Sequence, residues 1–141
     1  MTKGVEGLRV WQEARKLAGQ IYQLTKCFPD EEKYNFTSHL RRAGVSVMSN
    51  IAEGQGRYSR KDFVRFLYLA RGSLYEVQSL VILANDLGYL DKVNKDALLL
   101  GTDTVGPMLN ALIAAQQEAY EVREEGWQLD PSFYEEQGTR N

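Results

Sequence analysis

Phe63-Val64-Arg65-Phe66-Leu67-Tyr68-Leu69-Ala70-Arg71-Gly72-Ser73-Leu74-Tyr75-Glu76-Val77-Gln78-Ser79-Leu80-Val81-Ile82-Leu83-Ala84 sets the architecture of this chain. Within it Phe63, Leu67, Ala70, Leu74, Val77, Val81 and Ala84 stand alternately four and three apart, the seam spacing of a helix in a bundle. A second row, Val64, Tyr68, Tyr75 and Ile82, and a third, Phe66, Leu69, Leu80, Leu83 and Leu87, leave the helix apolar over most of its surface. Such a helix is expected to be central or to lie at a subunit contact. Its start is expected near Ser59, since Ser59 and Asp62 have capping-box spacing and Tyr58 and Phe63 the spacing of a hydrophobic staple. Gly88 supplies a C-terminal cap.

Upstream, Gly54-Gln55-Gly56-Arg57-Tyr58 breaks the periodicity and predicts a tight turn closed by glycine in the left-handed conformation. The preceding helix is expected from a cap at Asp30, with Glu31 and Glu32 in its first turn, to about Gly54. Its stripe is Phe36, Leu40, Ala43, Val47 and Ile51, and Gly44, Val45, Met48 and Ala52 widen the arc beyond what one neighbouring helix covers. Pro29 ends a first helix, about Arg9 to Cys27, that repeats Val10, Ala14, Leu17, Ala18, Ile21, Leu24 and Phe28 at helical steps. Downstream, Asp91 caps a fourth helix with a seam of Leu98, Val105, Leu109, Leu112 and Ala119, which Gly106-Pro107 is expected to kink or interrupt. No strand-like alternation intervenes, and short connections favour antiparallel neighbours. The expected fold is therefore all-α, an antiparallel up-down-up-down four-helix bundle over residues 1–120. Residues 121–141, rich in Glu121, Glu124, Glu125, Asp130, Glu135 and Glu136, read as an acidic, partly disordered C-terminal tail.

The length, 141 residues, suits one domain with one core. A single Cys permits no internal disulfide, and one Cys with one His is too few for a structural zinc, so no metal and no cofactor are expected. No uninterrupted apolar run approaches the ~20 residues of a membrane span, and Met1 to Gly7 holds no apolar signal region. A cytoplasmic protein is expected.

Catalytic motifs are not found. Gly54-Gln55-Gly56 follows a helix rather than a strand, and Ser59 stands where the third glycine of a dinucleotide fingerprint belongs. Cys27 and His39 flank the Pro29 turn without an orienting partner. Adjacent pairs such as Glu31-Glu32 and Glu124-Glu125 diverge by about 100° on a helix. No catalytic residue is assigned, and the chain is expected not to be an enzyme.

Charge is more informative. Between His39 and Arg71 the cations Arg41, Arg42, Arg57, Arg60, Lys61, Arg65 and Arg71 face only Glu53 and Asp62, whereas the remainder of the chain is acidic. A basic centre clustered at one turn suggests an anionic partner, with Arg57, Arg60 and Lys61 foremost and Arg41, Arg65 and Arg71 next. Pairing with the acidic tail would equally account for it. On the second helix, Arg42, Ser46, Ser49 and Glu53, with Asn50 at the edge, form a polar strip opposite the apolar arc. That strip is expected to be a structural network, buried or between subunits, because no nucleophile and base converge there.

The run Arg41-Arg42-Ala43-Gly44-Val45-Ser46-Val47-Met48-Ser49-Asn50-Ile51-Ala52-Glu53-Gly54-Gln55-Gly56-Arg57 resembles the signature of the four-helix-bundle family named after proteins encoded in intervening sequences of 23S ribosomal RNA. Val10-Trp11-Gln12-Glu13-Ala14, Phe63 to Phe66, Gly72-Ser73-Leu74-Tyr75-Glu76 and Leu87-Gly88-Tyr89-Leu90 support the likeness, which runs from about Leu8 to Tyr120. The resemblance implies a ring-like homo-oligomer, a pentamer, without known catalysis. A related branch serves as accessory protein to the reverse transcriptase of diversity-generating retroelements and is basic and nucleic-acid binding; this chain differs, with a pI near 5.5.

The functional expectation is a non-enzymatic helical scaffold whose basic turn engages RNA, single-stranded DNA or a ribonucleoprotein. The alternative is a protein-interaction module or a reverse-transcriptase accessory protein that does not itself bind nucleic acid.

Overall fold

A computed structural model describes residues 4–125 of the chain. Four α-helices dominate it, α1 (Arg9–Leu24), α2 (Phe36–Gln55), α3 (Arg60–Asp86) and α4 (Lys92–Glu125), and the described residues include no strand. α2 packs on α3, α3 on α4, and α1 on both α2 and α4, so every helix has two neighbours around one shared core. The all-helical expectation holds.

The core is the set of seams read from periodicity. Val10, Ala14, Leu17, Ala18 and Ile21 of α1 are buried with Leu40, Ala43, Val47 and Ile51 of α2. Leu67, Ala70, Leu74, Val77, Val81 and Ala84 of α3 meet Leu98, Val105 and Leu109 of α4. Trp11 and Ile113 are buried as well, although neither fell on the expected seams. Two polar groups tie helices together inside this packing. Gln78 donates to Thr102 at 3.0 Å between α3 and α4, and Thr102, 1% exposed, passes its own proton to the Leu99 carbonyl at 2.8 Å.

Several local expectations need correction. α2 does not begin at Asp30: a single 3-10 turn, Asp30–Glu32, and a further turn precede Phe36. Asp30 makes no capping bond there, and Glu32 instead accepts from the Phe36 amide at 3.3 Å. The staple between Tyr58 and Phe63 is absent, because Tyr58 is fully exposed. Ser59 does cap α3, accepting from the Asp62 amide at 3.1 Å. Neither Gly54 nor Gly56 is left-handed. Gly88, at φ 75°, is the described glycine with positive φ and closes the end of α3, as expected.

Gly54 serves a different purpose, since a Cβ there would lie 2.7 Å from the Phe66 Cβ and 3.3 Å from the Phe63 carbonyl oxygen. It lets the backbones of α2 and α3 approach where the chain turns between them.

α4 continues unbroken through Pro107 to Glu125, so the helix passes the boundary placed at Tyr120. The rest of the acidic segment, 126–141, lies outside the described residues. By length and composition Lys92–Ala119 of α4 could cross a membrane, despite Asp96 and Asp103. Its apolar seam is instead committed to the shared core.

Candidate nucleic-acid interface

The α2–α3 turn brings Arg57, Arg60, Lys61 and Arg65 to one end of the fold, and the structure divides them into two kinds. Arg57 and Arg65 form a clamp. Their guanidinium groups lie 4.6 Å and 4.5 Å from the centroid of the Phe66 ring. Asp62 ties both: Arg65 donates to its Oδ1 from Nε at 2.9 Å and from Nη2 at 2.8 Å, and Arg57 Nε stands 3.7 Å from its Oδ2. Arg57 also pairs with Glu53 one helical turn back, at 2.9 Å. Two cations on a nearly buried ring and two nearby carboxylates are largely compensated locally.

Arg60 and Lys61 are the second kind. Arg60 donates to the neutral Gln116 of α4 at 3.0 Å, which orients it without cancelling its charge. Lys61 is exposed, with no ion pair among the described residues. Arg71, further along α3, donates to neutral Asn110 at 3.2 Å and sits over the Tyr68 ring at 4.7 Å. Beside Lys61 opens a groove of about 810 Å³ lined by Tyr58, Ser59, Lys61, Asp62, Val64, Arg65, Tyr68 and Leu69, with Arg60 and Arg71 outside its lining. Two exposed tyrosines beside the unpaired Lys61 offer ring faces to bases and charge to phosphates.

Arg41 does not join this group. It lies near the other end of α2, roughly 24 Å away at 1.5 Å per residue. There it donates to the Thr25 hydroxyl at 2.8 Å and covers the Tyr22 ring at 4.7 Å.

The polar strip of α2 is only partly a network. Ser46 shares a hydrogen bond with Ser73 of α3 at 2.8 Å, and Asn50 donates to the Ser46 hydroxyl and carbonyl at 3.0 and 2.9 Å. Ser49 returns to the Val45 carbonyl on its own helix, Glu53 turns to Arg57, and Arg42 is exposed. Ser73 was not anticipated from the sequence; its position on the α2 side of α3 is a matter of register. Cys27 and His39 stay apart: the Cys27 thiol donates to the Leu24 carbonyl, and His39 pairs with Glu76 of α3. Among the described residues no cluster of three or more His, Cys, Asp or Glu could hold a metal ion.

No curated protein matches this chain. Among solved structures it is similar to a protein of unknown function from Bacteroides thetaiotaomicron, described as a member of the S23 ribosomal protein family. That similarity has a TM-score of 0.69 at 23% identity, covering 74% of this chain and 97% of the other, and shows a common fold. The family model described as 23S rRNA-intervening sequence protein matches residues 6–111, from the first 3-10 turn into α4. A match over most of the chain that spans α1, α2 and α3 and reaches into α4 places this protein in the family of 23S rRNA-intervening sequence proteins.

Proposed function

We propose that the protein is a non-enzymatic, cytoplasmic, homo-oligomeric four-helix bundle of up-down-up-down topology that binds RNA through the α2–α3 turn. The short α2–α3 and α3–α4 connections between packed neighbours support the antiparallel order. The observation that carries the binding reading is unpaired Lys61 together with the exposed rings of Tyr58 and Tyr68 in one groove, with uncompensated Arg60 adjoining Lys61 in the chain and turned toward α4. Single strands are held by this combination of backbone neutralisation and stacking.

Assembly is supported by α3. Tyr75 and Ile82, beyond the groove, make one exposed row on its α4 side, the side on which Gln117 donates to the Tyr68 hydroxyl at 3.1 Å. Leu69, Leu83 and Leu87 make another on its α2 side, where Glu76 meets His39. Two separate apolar rows on one subunit suit a head-to-tail contact, which joins two different surfaces and closes into a ring when the rotation permits. A pentameric ring would then repeat the basic turn around its circumference.

The test is fluorescence anisotropy with a single-stranded RNA across a salt series. Each phosphate contact contributes about 0.7 to the slope of log affinity against log salt on a single strand. Replacing Arg60 and Lys61 by Ala should therefore reduce that slope by about 1.4 while circular dichroism stays unchanged. No binding at low salt would overturn the reading in favour of a protein-interaction module, including an accessory to a reverse transcriptase, which the same apolar rows would serve.

A further inference from the structure

The end of α2 opposite the basic turn borders a small recess beneath the α1–α2 connection. Lys26, Asp30, Lys33, Thr37 and Arg41 line it over Thr25. Its volume is about 230 Å³, several times the ~30 Å³ share of one water and below the ~300 Å³ at which sites for drug-sized ligands begin. That is room for a small anion with some of its hydration.

Two independent features mark the recess as a binding site. Thr37 is 5% exposed, and its hydroxyl is buried without a hydrogen-bond partner. A buried hydroxyl is costly to leave unpaired, and Thr37 is one of the residues that line the recess. The second feature is the cationic lining. Arg41 is held by Thr25 at 2.8 Å through Nε, by the Tyr22 carbonyl at 3.4 Å through Nη2, and by the Tyr22 ring. Its anchors are all uncharged, so its positive charge is uncompensated. Lys26 donates only to the neutral Gln23 at 3.1 Å, and Lys33 lies 5.5 Å from the Tyr34 ring centroid. None of the three cations forms an ion pair among the described residues. Asp30 is the single carboxylate of the lining and can accept from a hydroxyl of the bound group.

We propose that this recess is a phosphate site, in which the Thr37 hydroxyl donates to a phosphate monoester held by the charges of Arg41, Lys33 and Lys26. The phosphate can come from the terminus of a nucleic acid or from a small phosphorylated molecule. The site lies a helix length from the α2–α3 turn and does not depend on RNA binding there.

Calorimetry on the full chain with inorganic phosphate and ribose 5-phosphate, at ionic strength matched with chloride, tests it. Wild type should take up one phosphate per chain saturably. Thr37→Val keeps the shape and removes the donor, and should weaken uptake about tenfold or more, as should Arg41→Gln. Thr37→Val also removes the unpaired hydroxyl, so its melting temperature should equal or exceed that of wild type, and lost binding cannot be ascribed to unfolding. Arg60→Ala with Lys61→Ala should bind phosphate as wild type does. Absence of saturable uptake by wild type, or uptake unchanged in both Thr37→Val and Arg41→Gln, would overturn the proposal. A second arm compares 5′-phosphorylated with 5′-hydroxyl RNA. Preference for the phosphorylated end that disappears in Thr37→Val supports a nucleic-acid terminus as the source. Equal affinity for both RNAs, with ribose 5-phosphate uptake retained, supports a small phosphorylated ligand.

Discussion

Gly54 and Gly44 show how differently two glycines of one helix can be constrained. A Cβ at Gly44 would meet the tip of Ile21, 2.7 Å away, and that flexible end can swing aside. A Cβ at Gly54 would meet the Phe66 Cβ and the Phe63 backbone, which cannot move without separating α2 from α3. Gly54→Ala should therefore cost about 1 to 3 kcal/mol of stability in urea unfolding, and Gly44→Ala measurably less. Leucine at Gly44 exceeds what the Ile21 tip can yield, and leucine at Ala43, buried in the core, overpacks it; each should cost about 1 to 3 kcal/mol. Unchanged unfolding midpoints in the leucine variants would show that this face is not packed. The sequence announced Gly54 as a turn glycine because its composition, Gly-Gln-Gly, reads that way locally. The actual reason, contact with a residue twelve positions on, is tertiary and has no local signature.

Tyr89 offers a second test at this scale. Its ring packs 5.6 Å from Phe28 and 6.0 Å from Phe36, joining the α1–α2 and α3–α4 connections. Burial first, then the nearby Glu32 and Glu31 carboxylates, raises its phenol pKa above the ordinary value. A raised pKa means that the folded state holds its proton longer than the unfolded chain does. The associated stability is present below the ordinary tyrosine range and lost as pH rises through and beyond it. Tyr89→Phe keeps the ring and should reduce the alkaline fall in melting temperature above about pH 10 relative to wild type. An identical alkaline profile in the variant would contradict this.

Among the elements, the helices were legible, as were the Ser59 cap and Gly88 end of α3 and the Asp91 cap of α4, whereas the start of α2 was not. Seams at Leu40 to Ile51 and Leu67 to Ala84 are buried as their spacing required, because period and burial are the same property seen from sequence and from structure. The start of α2 was misplaced because Asp30, Glu31 and Glu32 look like a helix N-terminus, yet they form one 3-10 turn before the chain bends into Phe36. The candidate interface was half visible: the cations could be read, but not which of them carry uncompensated charge. Phe66 and Asp62 decide that, and Asp62→Asn isolates the effect. Loss of exposed ion pairs should cost no more than about 1 kcal/mol. At the same time Arg57 and Arg65 lose their shared carboxylate, so RNA affinity should rise, most strongly at low salt. Reduced or unchanged affinity in a folded Asp62→Asn protein would argue against phosphate contacts at this turn.

For the whole molecule, the account rests on the exposed apolar rows of α3 and on the basic turn, which a single experiment can examine together. Tyr75→Glu or Leu83→Glu should lower the subunit count without unfolding the helices, since both side chains are exposed within one chain. The most direct measurement is native mass spectrometry of the wild-type protein at micromolar concentration and low salt, with and without a single-stranded RNA. The account predicts an assembly of several 16.1 kDa chains, five if the ring is a pentamer, that gains the mass of bound RNA. A 16.1 kDa monomer that takes up no RNA would contradict it.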